Sequence, residues 1–299
     1  SSVRWGPTGW TPKLSTQTKE SVMGEVSVME NPFDSMLEAV KAGNTQDLMR
    51  LSGQADEDTP KAGLSRLNIN YETDTDEGHS LKKGTWKVYY DGEFVYADSV
   101  QFRPLVRTYE WSVWDQEESK FSNRSIQAPS LDYQFPDISG GNKCGRLTKS
   151  EEEQLGEDHP QTLASRLATC NQVFYAVINM KGKTAEGKDV EIKDYPVVTY
   201  FKRSGFRPAR EAIQKLGNTP MNEVLFELTT KRHKMGSVTY FTPVFTVSGS
   251  ARLDGPTTEL LTMFLETVKA SNANIMEQHK EAMKAKASTE EIDLAADFN

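Results

Sequence analysis

The stretch KVYYDGEFVYA, residues 87–97, constrains this chain most tightly. Two runs of aromatic and β-branched residues flank Asp91–Gly92. An Asp-Gly pair adopts the positive φ angles that a two-residue hairpin loop demands. The chain must reverse here and pair with itself. A lone hairpin is marginal in water, so further strands are needed. The sequence offers them. RLNINYET alternates Leu67, Ile69 and Tyr71. SVQFRPLVRTYEWSVW is a long strand pattern interrupted at Pro104, an edge or a bulge. NQVFYAVIN, VEIKDYPVVTYFKR, EVLFELTTKR and SVTYFTPVFTVS continue the series, with a short helix in REAIQKLG.

These segments predict a mainly β (α+β) core over residues 64–250. Many short strands with turn signals suit a small closed or sandwiched antiparallel sheet, and an OB-like antiparallel barrel is the candidate topology. Residues 1–63 read as a polar N-terminal arm (1–30), a short helical pair (31–52) built on Met36, Leu37 and Val40, and a linker (54–63). Gly255–Pro256 opens a C-terminal helix within 251–287, with Leu261, Phe264, Leu265 and Val268 on one face. STEEIDLAADFN, 288–299, has no periodicity and reads as a disordered acidic tail.

Charge needs care. The chain carries a net −8 at pH 7, which by itself argues against a polyanionic partner. The acid surplus lies in the two ends, and the middle is nearly neutral. Within it, residues 199–240 hold Lys202, Arg203, Arg207, Arg210, Lys215, Lys231, Arg232 and Lys234 against Glu211, Glu223 and Glu227.

Catalytic patterns are missing. The histidines His79, His159, His233 and His279 have no His or Cys at metal-ligand spacing. There is no G-x-S-x-G, P-loop or G-x-G-x-x-G. Gly140–Gly141 lacks the following helix of a phosphate cradle. Cys144 has no evident base, and its plainer reading is a small buried side chain after a turn. EEEQLGED reads as a solvated loop or helix face. Cys144 and Cys170 make no C-x-x-C, so neither a disulfide framework nor a thiolate zinc site is expected. No apolar run reaches the roughly 18 residues of a membrane span, and the first residues lack a secretory core. The expectation is a reducing, intracellular protein that is not an enzyme, with no catalytic residue, cofactor, metal or membrane contact.

Three stretches suit a polyanion. In QFRPLVRTYEW a regular strand would put Arg107, Tyr109 and Trp111 on one face, with Arg103 joining unless Pro104 shifts the register. Trp114 lies further along. Cations beside rings on an open face hold phosphates and stack bases. Alternatively, Tyr109 and Trp111 are core and Arg107 snorkels at the rim. In TYFKRSGFRPAR, Lys202 and Arg203 precede a turn, and Phe206 and Arg207 enter a helix whose N-terminus adds free N–H groups. In TTKRHKMGSVTYF, Lys231, Arg232 and Lys234 form a basic hairpin tip.

On GTWKVYYDGEFVYADSVQFRPLVRTYEWSVWD, GGNKCGRLTK, YFKRSGFRP, ELTTKRHKMGSVTYFTPVF and the acidic end, the chain resembles single-stranded-DNA-binding proteins of tailed bacteriophages. The resemblance implies an OB-type core that coats single-stranded DNA during phage replication and recombination, in the host-cell cytoplasm. It also implies that Glu290, Glu291, Asp293, Asp297 and Phe298 dock replication or recombination proteins and compete with DNA for the basic groove. Self-association is a further partner expectation. The alternative is a phage structural or protein-interaction module whose basic patch meets an acidic partner.

Overall fold

In the computed structural model of the protein, the backbone is described over residues 64–296 and the side chains over 64–288. The expected arm, helical pair and linker lie outside the described residues. So do Asp297 and Phe298, and the side chains of Glu290, Glu291 and Asp293.

The Asp91–Gly92 hairpin forms as its sequence dictates. Strands β3 (Trp86–Tyr90) and β4 (Glu93–Ala97) pair antiparallel, with Tyr90 opposite Glu93. Both loop residues have positive φ, 48° at Asp91 and 88° at Gly92, the backbone of a type I′ turn. Ahead of it come two short strands, β1 (Ser65–Arg66) and β2 (Asn68–Ile69). After it run β5 (Val100–Asp115) and β6 (Lys120–Arg124). Two small helices follow, α1 (Lys149–Leu155) and α2 (Pro160–Ser165). The long strands β7 (Thr169–Thr184) and β8 (Asp189–Lys202) lead through a 3-10 turn, Arg203–Gly205, into helix α3 (Phe206–Gln214). A last hairpin, β9 (Val224–Met235) and β10 (Val238–Ser250), precedes helix α4 (Gly255–Ala296).

The strands make one ten-stranded sheet in the order β10-β9-β5-β7-β4-β3-β2, with β6 on β5 and β8 on β7. All pairs are antiparallel except β1 on β8. β1 and β2 are separated only by Leu67, yet β1 pairs with β8 while β2 pairs with β3.

Strand β7 explains why the sheet needs two cores. Its middle reads as an almost unbroken buried run because both of its faces are covered. Phe174, Ala176 and Ile178 join Trp86, Phe102, Phe201 and Phe226 on one side. Val173, Tyr175 and Val177 face the other, where Phe264, Leu265 and Val268 of α4 seal them. That is the apolar face expected for this helix. Asn272 then clamps α4 to the sheet, its Oδ1 accepting from Gln127 N and its Nδ2 donating to Gln127 O, both at 2.8 Å. The α4 backbone stays helical through Ala296, where the sequence suggested irregular chain from Ser288. Glu, Leu and Ala are strong helix formers, and no Gly or Pro interrupts them.

Among the described residues, no helix is long and apolar enough to cross a membrane.

Candidate nucleic-acid interface

Pro104 decides where the β5 side chains go. The β5–β7 register shifts between Pro104 and Val106, a bulge. Arg103, opposite Val177, therefore faces α4, while Arg107, Tyr109 and Trp111 face the other way. Arg103 is not available to phosphate. Its guanidinium donates to Asn222 O at 2.8 Å, Thr257 Oγ1 at 3.1 Å and Arg252 O at 2.9 Å, locking the start of α4 to the sheet. Tyr109 is core rather than a stacking surface, packed with Ala128, Phe135 and Phe206. Trp111 is half-buried on the same cluster, and Arg107 lies over the Tyr109 ring at 5.4 Å. The rim-and-core alternative holds for this strand. Trp114, near its far end, is exposed and meets Phe121 edge-on.

A neighbouring feature of β5 was not legible as a site and is not one. Glu110 is fully buried, with its Oε2 accepting from Arg124 Nη2 at 2.8 Å and Nε at 3.1 Å. Burial pushes its carboxyl above the usual range, and Arg124 pulls against that rise.

The glycine-rich loop is closed to anions by its own chain. The Asp137 carboxylate accepts from the N–H groups of Ser139, Gly141 and Cys144 at 3.1, 3.1 and 2.9 Å, which fills the concavity. Cys144 lies in a 3-10 turn, buried, with its thiol donating to Trp111 O at 3.2 Å. Burial pushes both thiols up, Cys170 to about 12, so neither offers a thiolate near neutral pH. EEEQLGED is the solvated face of α1, capped by a Thr148–Glu151 box.

The end of β8 behaves differently from β5. Lys202 and Arg203 are exposed, and Arg203 holds a positive φ of 48°. The parallel β1–β8 pair sets Arg66 opposite Val198, on the same face as Tyr200 and Lys202. The Arg66 guanidinium lies 4.7 Å from the Tyr200 ring centroid. Burial, then the nearby charges of Arg203 and Arg66, hold the Lys202 ammonium below its ordinary value. Among the described residues none of these three cations has an ion pair. The rest of the TYFKRSGFRPAR stretch is structural. Phe206 is half-buried against Tyr109 and is no free platform, and Arg207 pairs with Glu211 at 2.6 Å.

Of these cations Lys202 lines a cleft of about 340 Å³, with Asn68, Tyr71, Trp86, Lys87, Tyr200, Ser204 and Phe241, and Arg66 and Arg203 are chain neighbours of its lining. A second cleft, about 720 Å³, is lined by Lys82, Lys83, Gly84, Thr230, Arg232, Thr239 and Phe241. Phe241 lines both, so the two clefts adjoin, and the path they mark passes a ring that is itself buried. Its ring meets Tyr71 edge-on at 5.9 Å, and Tyr71 is 49% exposed.

Local chemistry builds this path. Asn70 is buried and ties the 70–85 loop together. Its Nδ2 donates to Glu72 O at 3.0 Å and Lys82 O at 3.1 Å, and its backbone O accepts from Gly84 N at 2.8 Å. Gly84 has φ 82°, and a Cβ there would overlap the Phe241 ring. Glycine thus lets the Lys82–Lys83 turn seat on the β9–β10 hairpin, where Thr230 Oγ1 donates to Gly84 O.

The basic hairpin divides by face. Arg232 sits opposite Phe241 and Lys234 opposite Thr239, which puts both on the cleft side. Lys231 sits opposite Thr242 and His233 opposite Tyr240, on the reverse side, where the His233 ring stacks on Tyr240 at 5.0 Å. Lys82 pairs with Asp98 at 2.6 Å and Lys87 with Glu72 at 2.8 Å, whereas Lys83, Arg232 and Lys234 have no ion pair among the described residues.

Of the expected phosphate contacts, Lys202 and Arg232 line the two clefts, Arg203 follows Lys202 in the chain, and Lys234 is opposite the cleft residue Thr239. Arg66, Lys83, Tyr71 and Phe241, which lie at or beside these clefts, were not among the expected residues. Lys83 carried a usable signal, two lysines before a glycine in SLKKGTW. Arg66 carried none, because a parallel strand pair made it a neighbour of Lys202.

No family model matches this chain, and neither the curated proteins nor the solved structures contain a match to it.

Proposed function

We propose that the protein binds single-stranded DNA, without catalysis and largely without regard to base sequence, along the path marked by these two clefts. Arg66, Lys202 and Arg203 hold phosphates at one end, and Lys83, Arg232 and Lys234 hold them at the other. Bases lie between, against Tyr71, whose exposed ring is backed by the buried Phe241. The observation that carries this reading is the exposed Tyr71 ring set between two groups of cations that form no ion pair among the described residues. In water such cations repel one another, and a phosphodiester chain offsets that repulsion while releasing condensed counterions. Stacking adds about 1–3 kcal/mol per base and tolerates any base.

The OB-like part of the reading rests on the curl implied by β1 and β2, which pair with strands far apart in the sheet order. The resemblance to phage single-strand binders supplies the setting, replication and recombination, and the role of the acidic end. There Glu290, Glu291, Asp293, Asp297 and Phe298 dock partner proteins and compete with DNA for the same cations.

Titration of the full chain with oligo-dT tests the function. Binding should be strong at low salt, with a slope of log K against log salt near about −4 for six neutralised phosphates. Anisotropy of end-labelled oligo-dT should report it. No affinity at low salt sinks the reading. Deleting residues 288–299 should tighten binding, and unchanged binding removes the competition by the tail while leaving the cleft intact.

A further inference from the structure

The β3–β4 hairpin has two faces. Trp86, Val88, Val95 and Ala97 turn into the first core. The opposite face carries the cross-strand pairs Tyr89–Phe94 and Lys87–Tyr96. Tyr89 is 47% exposed and Phe94 45% exposed, and their rings meet edge-on at 5.3 Å. Lys87 Nζ lies 5.3 Å from the Phe94 centroid. Two large rings held side by side in solvent mark a contact surface.

Its position and charge identify the contact. Lys87 lines the smaller cleft and also covers Phe94, so the face begins where the cleft ends. The local charges are already neutralised, Lys87 by Glu72 at 2.8 Å and Lys188 by Glu93 at 3.6 Å. What remains is ring surface without free cations, suited to bases rather than to phosphates.

We propose that the outer face of the β3–β4 hairpin is a second base-stacking platform, where a single strand leaving the cleft lays further unstacked bases on Tyr89 and Phe94. This rests on the cleft being a single-strand site. It makes the footprint longer than the cleft, and it makes the platform's contribution insensitive to salt, because stacking releases no counterions.

The test uses the full chain and labelled oligo-dT of two lengths, about 8 and about 25 nucleotides, within and above the ~4–16 nucleotides that one such site covers. The Tyr89→Leu/Phe94→Leu variant keeps apolar bulk and strand propensity but removes both rings. It should bind the long oligonucleotide about tenfold more weakly, bind the short one as the native protein does, and keep the native salt slope. Tyr89→Phe, which retains the ring, should bind like the native protein. An unchanged long-oligonucleotide affinity in the double variant overturns the platform and leaves the hairpin as a surface for a protein. Equal losses at both lengths, or a flatter salt slope, overturn it as well. A native protein that binds neither length overturns the platform together with the cleft.

Discussion

Strand β5 and the end of strand β8 carry the same kinds of side chain, alternating cations and rings, and put them to opposite uses. β5 has β7 along one edge and β9 and β6 along the other. One of its faces lies under α4, and the other under Phe206, Ala128 and Phe135. Its polar groups must therefore be satisfied inside the protein. Arg103 spends its donors on carbonyls and Thr257, and Glu110 takes Arg124. The end of β8 runs into a 3-10 turn beside an open cleft, so Lys202 and Arg203 keep their charges in solvent. Coverage of the two sheet faces, more than composition, separates a strand whose polar groups are satisfied inside from one whose end leaves cations open to solvent.

The comparison breaks most sharply at Glu110. Arg124→Met leaves its carboxylate buried without its counter-charge and should cost about 3–5 kcal/mol in a urea melt. The Glu110→Leu/Arg124→Met double variant should recover most of that loss. The pH dependence has a definite sign. Burial raises the Glu110 pKa, and removing Arg124 raises it further. A carboxyl whose folded pKa exceeds its unfolded value binds its proton more tightly when folded. The defect in Arg124→Met should therefore be full above the raised folded pKa and shrink as pH falls below it toward the ordinary carboxylate range. A pH-independent defect would contradict the buried-charge account.

Next comes Arg103 against the β8 pair. Arg103→Ala removes hydrogen bonds from a charged donor and should cost about 2–3 kcal/mol of stability, with the salt slope of DNA binding unchanged. Lys202→Ala/Arg203→Ala should do the reverse. Stability should stay within about 0.5 kcal/mol, while the salt slope flattens by about 1.4 for two lost phosphate contacts. Native binding should also weaken as pH rises toward the lowered Lys202 pKa, because a bound phosphate favours the protonated amine. A DNA-binding loss in Arg103→Ala larger than in the β8 pair would invert the assignment of the two strands.

Much of the scaffold was legible in the sequence. Asp91–Gly92 fixed a hairpin because only a few residue pairs accept its loop. Leu261, Phe264, Leu265 and Val268 announced the buried face of α4 because helical spacing leaves one stripe. Alternation along β5 could show that its side chains divide between two faces. It could not show that both faces are covered, because the covering pieces, α4 and Phe206, lie far along the chain. Pro104 signalled a break, and the bulge it makes sends Arg103 away from Arg107. The site was less legible. Tyr71 meets Phe241, and Arg66 meets Tyr200, only through long-range pairing, which leaves no local trace in either segment.

The smallest effect probes one hairpin. Lys231 and Arg232 are neighbours in sequence with similar exposure, and a basic-tip reading treats them as equivalent. The β9–β10 register separates them, Arg232 beside Phe241 and Lys231 on the reverse face beside Thr242. Arg232→Ala should flatten the salt slope by about 0.7, one phosphate on a single strand, and Lys231→Ala should leave it unchanged. Neither should move the melting midpoint measurably, since neither has an ion pair among the described residues and exposed substitutions stay within about 0.5 kcal/mol. Equal slopes for the two variants would mean that DNA feels only the net charge of the tip. The cleft would then be a concentration of charge rather than a track with one side.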